Sequence, residues 1–260
     1  WPLPSMALLA LTLALLAITV ATPAYAALSL DMSPLSFDDQ YRGCGPAMRA
    51  ALPALNRSEF QNNFLFAQTW PKAVAKWQKK KSLPSSVSSA QAIAIMAYTM
   101  DDLYEEFNNQ GRGAGVSRQH YRDNFHFKTL HFLLTDALAA LRAHEGQKCR
   151  CVHRGVKKSF KAKVGDIVRF GQFASSSLCK DVARGFGETT LFKVWTCHGA
   201  YIEEFSQFPV EEEVLIPPFE KFKVTNVIQK WGKVEIQLNS TGTYSKYNCE
   251  WVTGGDSLGT

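Results

Sequence analysis

Residues 211–224 read EEEVLIPPFEKFKV, an acidic triplet followed by a short apolar run and two prolines. Apolar runs of this length that are rich in β-branched residues and bounded by proline are typical of buried strands. Alternate side chains of an extended segment point to the same side, so Glu211 and Glu213 are predicted to face one cleft, with Glu212 turned away. Two neighbouring carboxylates can stabilise an oxocarbenium-like centre and orient a nucleophile. Taken alone, an acidic triplet is more often a solvated loop.

Further short runs rich in Val, Ile, Phe and Thr surround this stretch. Turns that contain Gly, Pro or Lys separate them, as expected for consecutive strands. The runs are CVHRG (151–155), DIVRFGQF (166–173), TTLFKVWTC (189–197), FKVTNVIQ (222–229) and KVEIQLN (233–239). They predict a twisted, mainly antiparallel sheet.

Helical periodicity dominates the chain before residue 148. Over residues 90–107 the apolar side chains recur at intervals of three and four, and Ser88 with Gln91 fits a capping box. A second amphipathic helix is predicted over residues 127–143, with Gly146 as its C-terminal stop.

Two shorter helices are predicted over residues 46–55 and 71–79. The fold class is therefore α+β, with a helical region of about residues 45–147 packed on a sheet of about residues 148–250. Because the helices and some of the strands must share a core, we expect one domain covering residues 27–260.

The composition is that of an ordinary globular protein: 260 residues, 46% hydrophobic and 20% charged. The net charge of +6 is spread along the chain, and the basic run Lys79-Lys80-Lys81 is interpreted as a solvated loop. No nucleic-acid partner is therefore expected.

Two other places in the β-rich half carry residue types that bind ligands. Arg154-Gly155 lies at a predicted strand end, where a guanidinium can hold a phosphate with two hydrogen bonds and glycine leaves room for the ligand. The run FASSS at residues 173–177 ends an apolar strand, and Ser175 and its neighbours could bond a ribose or hold a carboxylate. Each element alone is more often structural, as a surface salt bridge or a polar turn.

Together, the arginine, the serine run and the glutamate-x-glutamate element follow the order found in the arginine-specific ecto-mono-ADP-ribosyltransferases. The chain resembles that family over most of its length beyond residue 26. The resemblance rests on CVHRGV (151–156), the serine run, TCHGAYIEEFSQFP (196–209) and EEEVLIPPFEKFKV (211–224). The last string is the most specific of these, and the secreted avian members look most similar to this chain. The resemblance implies the ADP-ribosyltransferase fold.

The family resemblance also implies a role for each element. Arg154, beside Gly155, would bind the NAD phosphates, and Ser175 would support the nicotinamide ribose. Glu213 would be the catalytic glutamate, which holds the ribose hydroxyl while the bond to nicotinamide breaks. Glu211 would orient the acceptor guanidinium and help to deprotonate it.

An aromatic side chain near the site would stack on nicotinamide. Phe173, Phe186 and Phe192 are the candidates, although each is more often a core residue. The Gly185-Phe186-Gly187 triplet is too short for a dinucleotide fingerprint, so NAD would not bind as in a Rossmann fold.

The resemblance implies an enzyme that splits NAD, releases nicotinamide and transfers ADP-ribose to arginine side chains of other proteins. NAD would be a co-substrate, with NADP left open, and no permanently bound cofactor or metal is expected. Two alternatives remain: an NAD glycohydrolase on the same scaffold, and a secreted binding module without activity. The intact residue set argues against the binding module, because a decayed enzyme usually loses one member.

The N-terminal segment predicts the extracellular location. Residues 6–26 are uncharged and apolar and end in a small-x-small pattern, so residues 1–26 are predicted to be a signal peptide. A transmembrane anchor is the rival interpretation, but the apolar core before Pro23 is short for a span of about 20 residues. Residues 251–260 lack the apolar stretch of a glycolipid-anchor signal. We expect a secreted, unanchored monomer.

The secretory route also favours disulfides and glycans. All six cysteines lie after residue 26, and an even count in an oxidising compartment favours pairing. Glycosylation sequons occur at Asn56 and Asn239.

Spacing alone leaves the cysteine pairing open. Cys149, Cys151 and His153 alternate along one strand and could resemble a metal site, but without a matched fourth ligand a disulfide is preferred. The family resemblance implies that Cys44 pairs with Cys249 and that Cys149 pairs with Cys197. It leaves Cys151 and Cys179 open.

Overall fold

The computed structural model describes residues 27–80 and 86–253. The predicted signal peptide, Lys81 and most of the C-terminal tail lie outside these residues. In the part of the chain that is described, no helix is both long enough and apolar enough to cross a lipid bilayer. Helices precede residue 148 and a large sheet follows it, so the predicted α+β class is confirmed.

Six helices form the first part of the described chain. They are α1 (Gly45–Asn62), α2 (Phe64–Gln78), α3 (Ser89–Thr99), α4 (Tyr104–Gly113), α5 (Arg118–Asn124) and α6 (Lys128–His144). The predicted capping box forms at the start of α3, where the side chains of Ser88 and Gln91 each accept a hydrogen bond from the other residue's backbone N–H. Gly146 follows α6 with a φ of +74°, the left-handed conformation that glycine adopts readily at a helix end.

The single helix predicted over residues 90–107 is wrong, because the chain turns between α3 and α4. Met100 takes an extended backbone conformation, and Asp102 in the turn pairs with Lys72 of α2 at 2.8 Å. Met100 and Phe107, on either side of the turn, are both buried. Apolar residues therefore continue to recur at intervals of three and four across the break, because both helices bury their apolar sides.

The two shorter helices extend farther than predicted. α1 continues past residue 55 because its second half makes a tertiary contact: the buried Glu59 accepts a hydrogen bond from the backbone N–H of Thr129 at 2.9 Å, at the start of α6. α2 begins seven residues before Pro71, which lies inside the helix. Sequence periodicity did not reveal either extension.

Ten strands, two further α-helices and two 3-10 turns (Glu203–Phe205 and Pro209–Glu211) make up the rest of the described elements. The strands are β1 (Leu28–Ser29), β2 (Arg150–Val156), β3 (Phe160–Lys161), β4 (Ile167–Arg169), β5 (Ala174–Ser177), β6 (Thr190–Thr196), β7 (Ala200–Tyr201), β8 (Glu213–Ile216), β9 (Glu220–Lys230) and β10 (Lys233–Thr243). The helices are α7 (Lys180–Phe186) and α8 (Glu250–Thr253).

The main sheet has eight strands in the order β4-β9-β10-β6-β2-β5-β8-β7. β6 and β10 run parallel, and the other neighbours run antiparallel, which agrees with the mainly antiparallel prediction. β1 and β3 form a separate parallel pair. β4 is much shorter than the predicted run 166–173.

The apolar residues form a large helical core, a sheet core and a small cluster of Ala73, Met96, Ala97 and Met100. The helical core is built mainly from α1 to α6, and Phe173 and Leu215 from the sheet region belong to it. The sheet core contains Val152, Phe192 and Ile236 from the central strands. The helices and part of the sheet therefore share a core, as expected.

Buried charges and disulfides fasten the ends of the described chain to this body. Asp38 and Arg169 form an ion pair of 2.6 Å in which both side chains are buried. Cys44 is bonded to Cys249, and Cys149 to Cys197, the two pairs that the resemblance implied. The second disulfide removes Cys149 from the possible metal site.

Candidate active site

Strands β2, β5 and β8 are neighbours in the sheet and bring the three predicted elements together. His153 on β2 is paired with Ser177 on β5, and Ser177 is paired with Glu213 on β8. Arg154, the serine run and Glu213 therefore meet, although up to 59 residues separate them in the sequence.

Arg154 is half-buried on β2. Its Nη1 donates a hydrogen bond to the backbone oxygen of Ser175 at 2.6 Å. Burial lowers the pKa of Arg154, and the nearby Tyr98 and Glu213 counteract this. An arginine retains its proton under such conditions, so the guanidinium is a fixed positive charge. Its remaining N–H donors make no hydrogen bond within the described residues and suit a phosphate.

Glu213 is the first residue of β8, with 5% of its surface exposed. Burial raises its pKa to about 7, and repulsion from Glu211 adds to the rise, whereas a hydrogen bond from Ser175 and the charge of Arg154 oppose it. The carboxyl group therefore exchanges its proton near neutral pH. A buried carboxylate with this behaviour beside an arginine is typical of a functional site.

Tyr98 and Asn108 form a hydrogen-bonded support behind Ser175. The Tyr98 hydroxyl donates to the backbone oxygen of Phe173 and accepts from Asn108 Nδ2, both at 3.1 Å. The Ser175 hydroxyl lies within hydrogen-bonding reach of both Tyr98 and Glu213. Burial raises the pKa of Tyr98 to about 12, so it stays protonated.

Sequence reasoning missed this support. The available signal was a tyrosine on the buried side of α3, a helix whose other buried residues are mainly small or aliphatic. A buried tyrosine hydroxyl needs a polar partner, and the pattern alone does not say which.

The extended conformation predicted for residues 211–213 is wrong. Glu211 ends a 3-10 turn (Pro209–Glu211), and Glu212 has a left-handed backbone with φ 46° and ψ 50°. Glu212 is exposed, as predicted, but because of this turn and not through strand alternation. Glu211 is half-buried and close enough to Glu213 to raise its pKa; burial, and then Asp101, raise the pKa of Glu211 itself.

The last two serines of the run hold this turn in place. Ser177 Oγ donates to the backbone oxygen of Glu211 at 2.7 Å, and Ser176 Oγ donates to that of Val214 at 2.6 Å. They therefore fix the backbone on either side of Glu213, while Ser175 reaches its carboxylate.

Gly155 is needed for a different reason from the one predicted. A Cβ at this position would lie 2.1 Å from the Ala183 backbone oxygen and 2.3 Å from that of Gly187. The space that glycine leaves is therefore filled by α7 and the residue that follows it. This close approach places α7 beside Arg154.

Two of the three aromatic candidates are core residues. Phe173 and Phe192 are each 1% exposed and pack against other phenylalanines. Phe186, at the end of α7, is 55% exposed. Tyr104, the first residue of α4, is 44% exposed and close enough to influence the pKa of Arg154. Tyr104 is thus an exposed ring near Arg154, and Phe186 is an exposed ring at the end of the helix that packs on Gly155.

The arrangement combines a fixed cation, a buried carboxyl group that titrates near neutrality, and a second carboxylate at the rim. The cation suits a phosphate-bearing ligand. The buried carboxylate suits a centre that develops positive charge, and the outer one can hold a cationic nucleophile.

Comparisons with known proteins agree with this chemistry. A family model described as NAD:arginine ADP-ribosyltransferase matches residues 30–246. Erythroblast NAD(P)(+)--arginine ADP-ribosyltransferase of Gallus gallus is 52% identical over 228 residues, which cover 86% of this chain and 76% of the relative. GPI-linked NAD(P)(+)--arginine ADP-ribosyltransferase 1 of Mus musculus is 48% identical over 237 residues, covering 86% and 73%.

Solved structures show the same relationship. The eukaryotic mono-ADP-ribosyltransferase ART2.2 is 36% identical, with a TM-score of 0.75 over 86% of this chain and 99% of that protein. A variant of ART2.2 in complex with NAD is 35% identical, with a TM-score of 0.73 over the same shares of the two chains.

Proposed function

The chain belongs to the NAD:arginine ADP-ribosyltransferase family, and from this premise we propose that Arg154, Ser175, Glu211 and Glu213 form its active site. The enzyme transfers ADP-ribose from NAD to arginine side chains of proteins and releases nicotinamide. One observation supports the site above all: Glu213 is buried between Ser175 and Arg154 with a pKa near 7, beside a second carboxylate.

In this proposal NAD is a co-substrate and not a permanently bound cofactor. Arg154 binds its phosphates through the N–H donors that Ser175 leaves unused. Ser175 contacts the nicotinamide ribose, and Phe186 or Tyr104 stacks on a ring of the dinucleotide. NADP is accepted as a second donor, as the names of the avian and mouse relatives indicate for those proteins.

The chemical step begins when the bond between ribose C1 and nicotinamide breaks and its electron pair leaves with nicotinamide. Positive charge develops on C1, and the ionised carboxylate of Glu213 stabilises it in a largely buried setting. A nitrogen of the acceptor guanidinium then forms the new bond to C1 and loses a proton.

Glu211 receives the acceptor in this step. A guanidinium is a poor nucleophile because it stays protonated near neutral pH. The half-buried carboxylate of Glu211 is accessible to an incoming arginine, can orient it, and takes up its proton. The nearby Asp101 adds negative charge that attracts a cationic acceptor.

Residues 27–260 act as one catalytic domain outside the cell, as a monomer. The two disulfides support an oxidising environment.

An NAD glycohydrolase is the second candidate function. The half-exposed position of Glu211 supports it, because water can reach the same place as an acceptor arginine. Hydrolysis would need Glu213 but not Glu211.

The test incubates the purified protein with labelled NAD and agmatine, which presents a free guanidinium. Variants Glu213→Gln and Glu211→Gln are compared with Glu212→Gln, which changes the exposed glutamate between them. We expect labelled ADP-ribosyl-agmatine from the wild type and from Glu212→Gln, and none from Glu213→Gln or Glu211→Gln. Of these last two variants, only Glu211→Gln should retain some NAD hydrolysis. Free ADP-ribose without an adduct would indicate a glycohydrolase, and intact NAD throughout would indicate a binding module.

A further inference from the structure

An exposed tryptophan lies beside a glycosylation sequon on the outer face of the sheet. Trp195 on β6 is 47% exposed, and its register partner on β10 is Asn239. On the other side, Trp195 is paired with Cys151 of β2, an exposed free thiol. Directly paired side chains stand on the same face of a sheet. The three residues therefore form one row across three strands.

The row lies in a shallow depression of about 440 Å³. Its lining adds Lys193, Thr225 and Gln237 to the three residues of the row. A flat ring beside several hydrogen-bonding side chains suits a sugar, whose C–H face packs on the ring while its hydroxyls bond to polar groups.

We propose that Asn239 carries an N-linked glycan whose first sugars lie in this depression, against Trp195 and over Cys151. An occupant from the same chain is favoured because the sequon lies in the row itself, on the strand next to the tryptophan.

The modification needs a lipid-diphosphate-linked oligosaccharide as co-reactant. The Asn239 side-chain nitrogen forms a bond to C1 of the first sugar, and the bond from C1 to the diphosphate oxygen breaks. The lipid diphosphate leaves, and the amide loses one proton to the transferring enzyme. Thr241 supplies the hydroxyl residue of the sequon.

The other sequon lacks these features. Asn56 lies inside α1 and is half-buried, and its Oδ1 is buried without a hydrogen-bond partner in the described residues. Asn239 is exposed on the sheet face. A glycan seated there covers apolar surface and a thiol that would otherwise face solvent.

The experiment uses the chain produced through a eukaryotic secretory pathway, with Cys151 as the reporter. Peptide mass spectrometry after enzymatic deglycosylation measures occupancy at Asn239. The rate at which a maleimide labels Cys151 is then measured against that of Cys179 in the same molecule. Asn239→Gln and Thr241→Ala remove the glycan in two ways, Asn56→Gln is the matched control, and Trp195→Ala tests the contact itself.

We expect an occupied Asn239, and Cys151 labelling that is several-fold faster in Asn239→Gln and Thr241→Ala but unchanged in Asn56→Gln. Trp195→Ala should also speed labelling while Asn239 stays occupied, because the sugars lose the ring that holds them. An unoccupied Asn239, equal labelling rates with and without the glycan, or no effect of Trp195→Ala would overturn the proposal.

Discussion

Two buried glutamates, seven residues apart in the sequence, have opposite surroundings. Glu220, at the start of β9, is 0% exposed and accepts hydrogen bonds from Thr196 Oγ1 at 2.5 Å and from the backbone N–H groups of Cys197 and His198 at 2.7 and 3.1 Å. Glu213 has a hydrogen bond from Ser175 and the charge of Arg154 as its favourable partners.

The number of hydrogen-bond partners distinguishes a carboxylate that holds the fold together from one that can take part in catalysis. Burial raises the pKa of both groups, but the donors around Glu220 oppose that rise and hold the turn that carries Cys197. Glu213 keeps lone pairs free for a ligand, at the expense of an incompletely satisfied buried charge. A buried carboxylate with spare hydrogen-bonding capacity therefore indicates function better than burial alone.

The largest expected effect is on catalysis at Glu213. Glu213→Gln keeps the shape but loses the charge that stabilises ribose C1, so kcat/KM for NAD and agmatine should fall by about 10²–10³-fold or more. The melting temperature should stay the same or rise, because a poorly satisfied buried charge is removed. A variant that keeps more than a tenth of the activity would contradict the assignment.

The next effect is on stability at Glu220. Glu220→Ala leaves several buried donors without an acceptor, which should lower the free energy of unfolding by roughly 2–4 kcal/mol. Chemical denaturation measures the loss, and Glu220→Gln, which keeps one acceptor oxygen, should lose less. Activity per folded molecule should stay near the wild-type value. A loss of activity in stable, folded Glu220→Ala would remove the distinction between the two glutamates.

The pH dependence of activity and stability should reveal the raised pKa of Glu213. The pKa of Glu213 is raised from 4.5 to about 7, so kcat/KM for NAD should fall about tenfold per pH unit below that value as the carboxylate is protonated. Between these two pH values the native state binds more protons than the unfolded state, so this group's contribution to stability falls as pH rises. Glu213→Gln should lack that decline, and parallel stability curves for the two proteins would contradict the raised pKa.

The smallest effect is expected at the support behind the site. Tyr98→Phe removes the hydroxyl that holds the Phe173 carbonyl and contacts Ser175, so kcat should fall by up to about tenfold, on the order of one hydrogen bond of 0.5–1.5 kcal/mol. KM for NAD should change little, because Tyr98 is buried. Asn108→Ala is the companion variant, and a change confined to stability would make both residues purely structural.

Local sequence signals predicted those parts of the molecule that local physics controls. The capping box at Ser88 and Gln91 formed because a helix start satisfies its own N–H groups. The run Val214-Leu215-Ile216 became a buried strand. The order of Arg154, the serine run and Glu213 pointed to the family without any structural information.

Other predictions failed where contacts between distant residues decide the outcome. Alternation placed Glu211 in a strand, but the bond from Ser177 fixes that residue in a 3-10 turn. Gly155 was predicted to leave room for a ligand, whereas α7 and the residue that follows it fill the space beside its Cα. Of the three rings that could stack on nicotinamide, Phe173 and Phe192 are buried by packing, in agreement with the expectation that each is more often a core residue.

The amino-acid sequence was enough to predict the α+β class, the main strands, helix α6 and the residue types of the site. These follow from side-chain periodicity, capping and the chemical identity of the residues. Folding of the whole chain makes β2, β5 and β8 neighbours, buries Glu213 while Glu211 lies at the rim, and places Tyr98 behind Ser175. The pKa of a carboxyl group depends on how many donors, charges and water molecules surround it in space, and the linear order of residues does not contain that information.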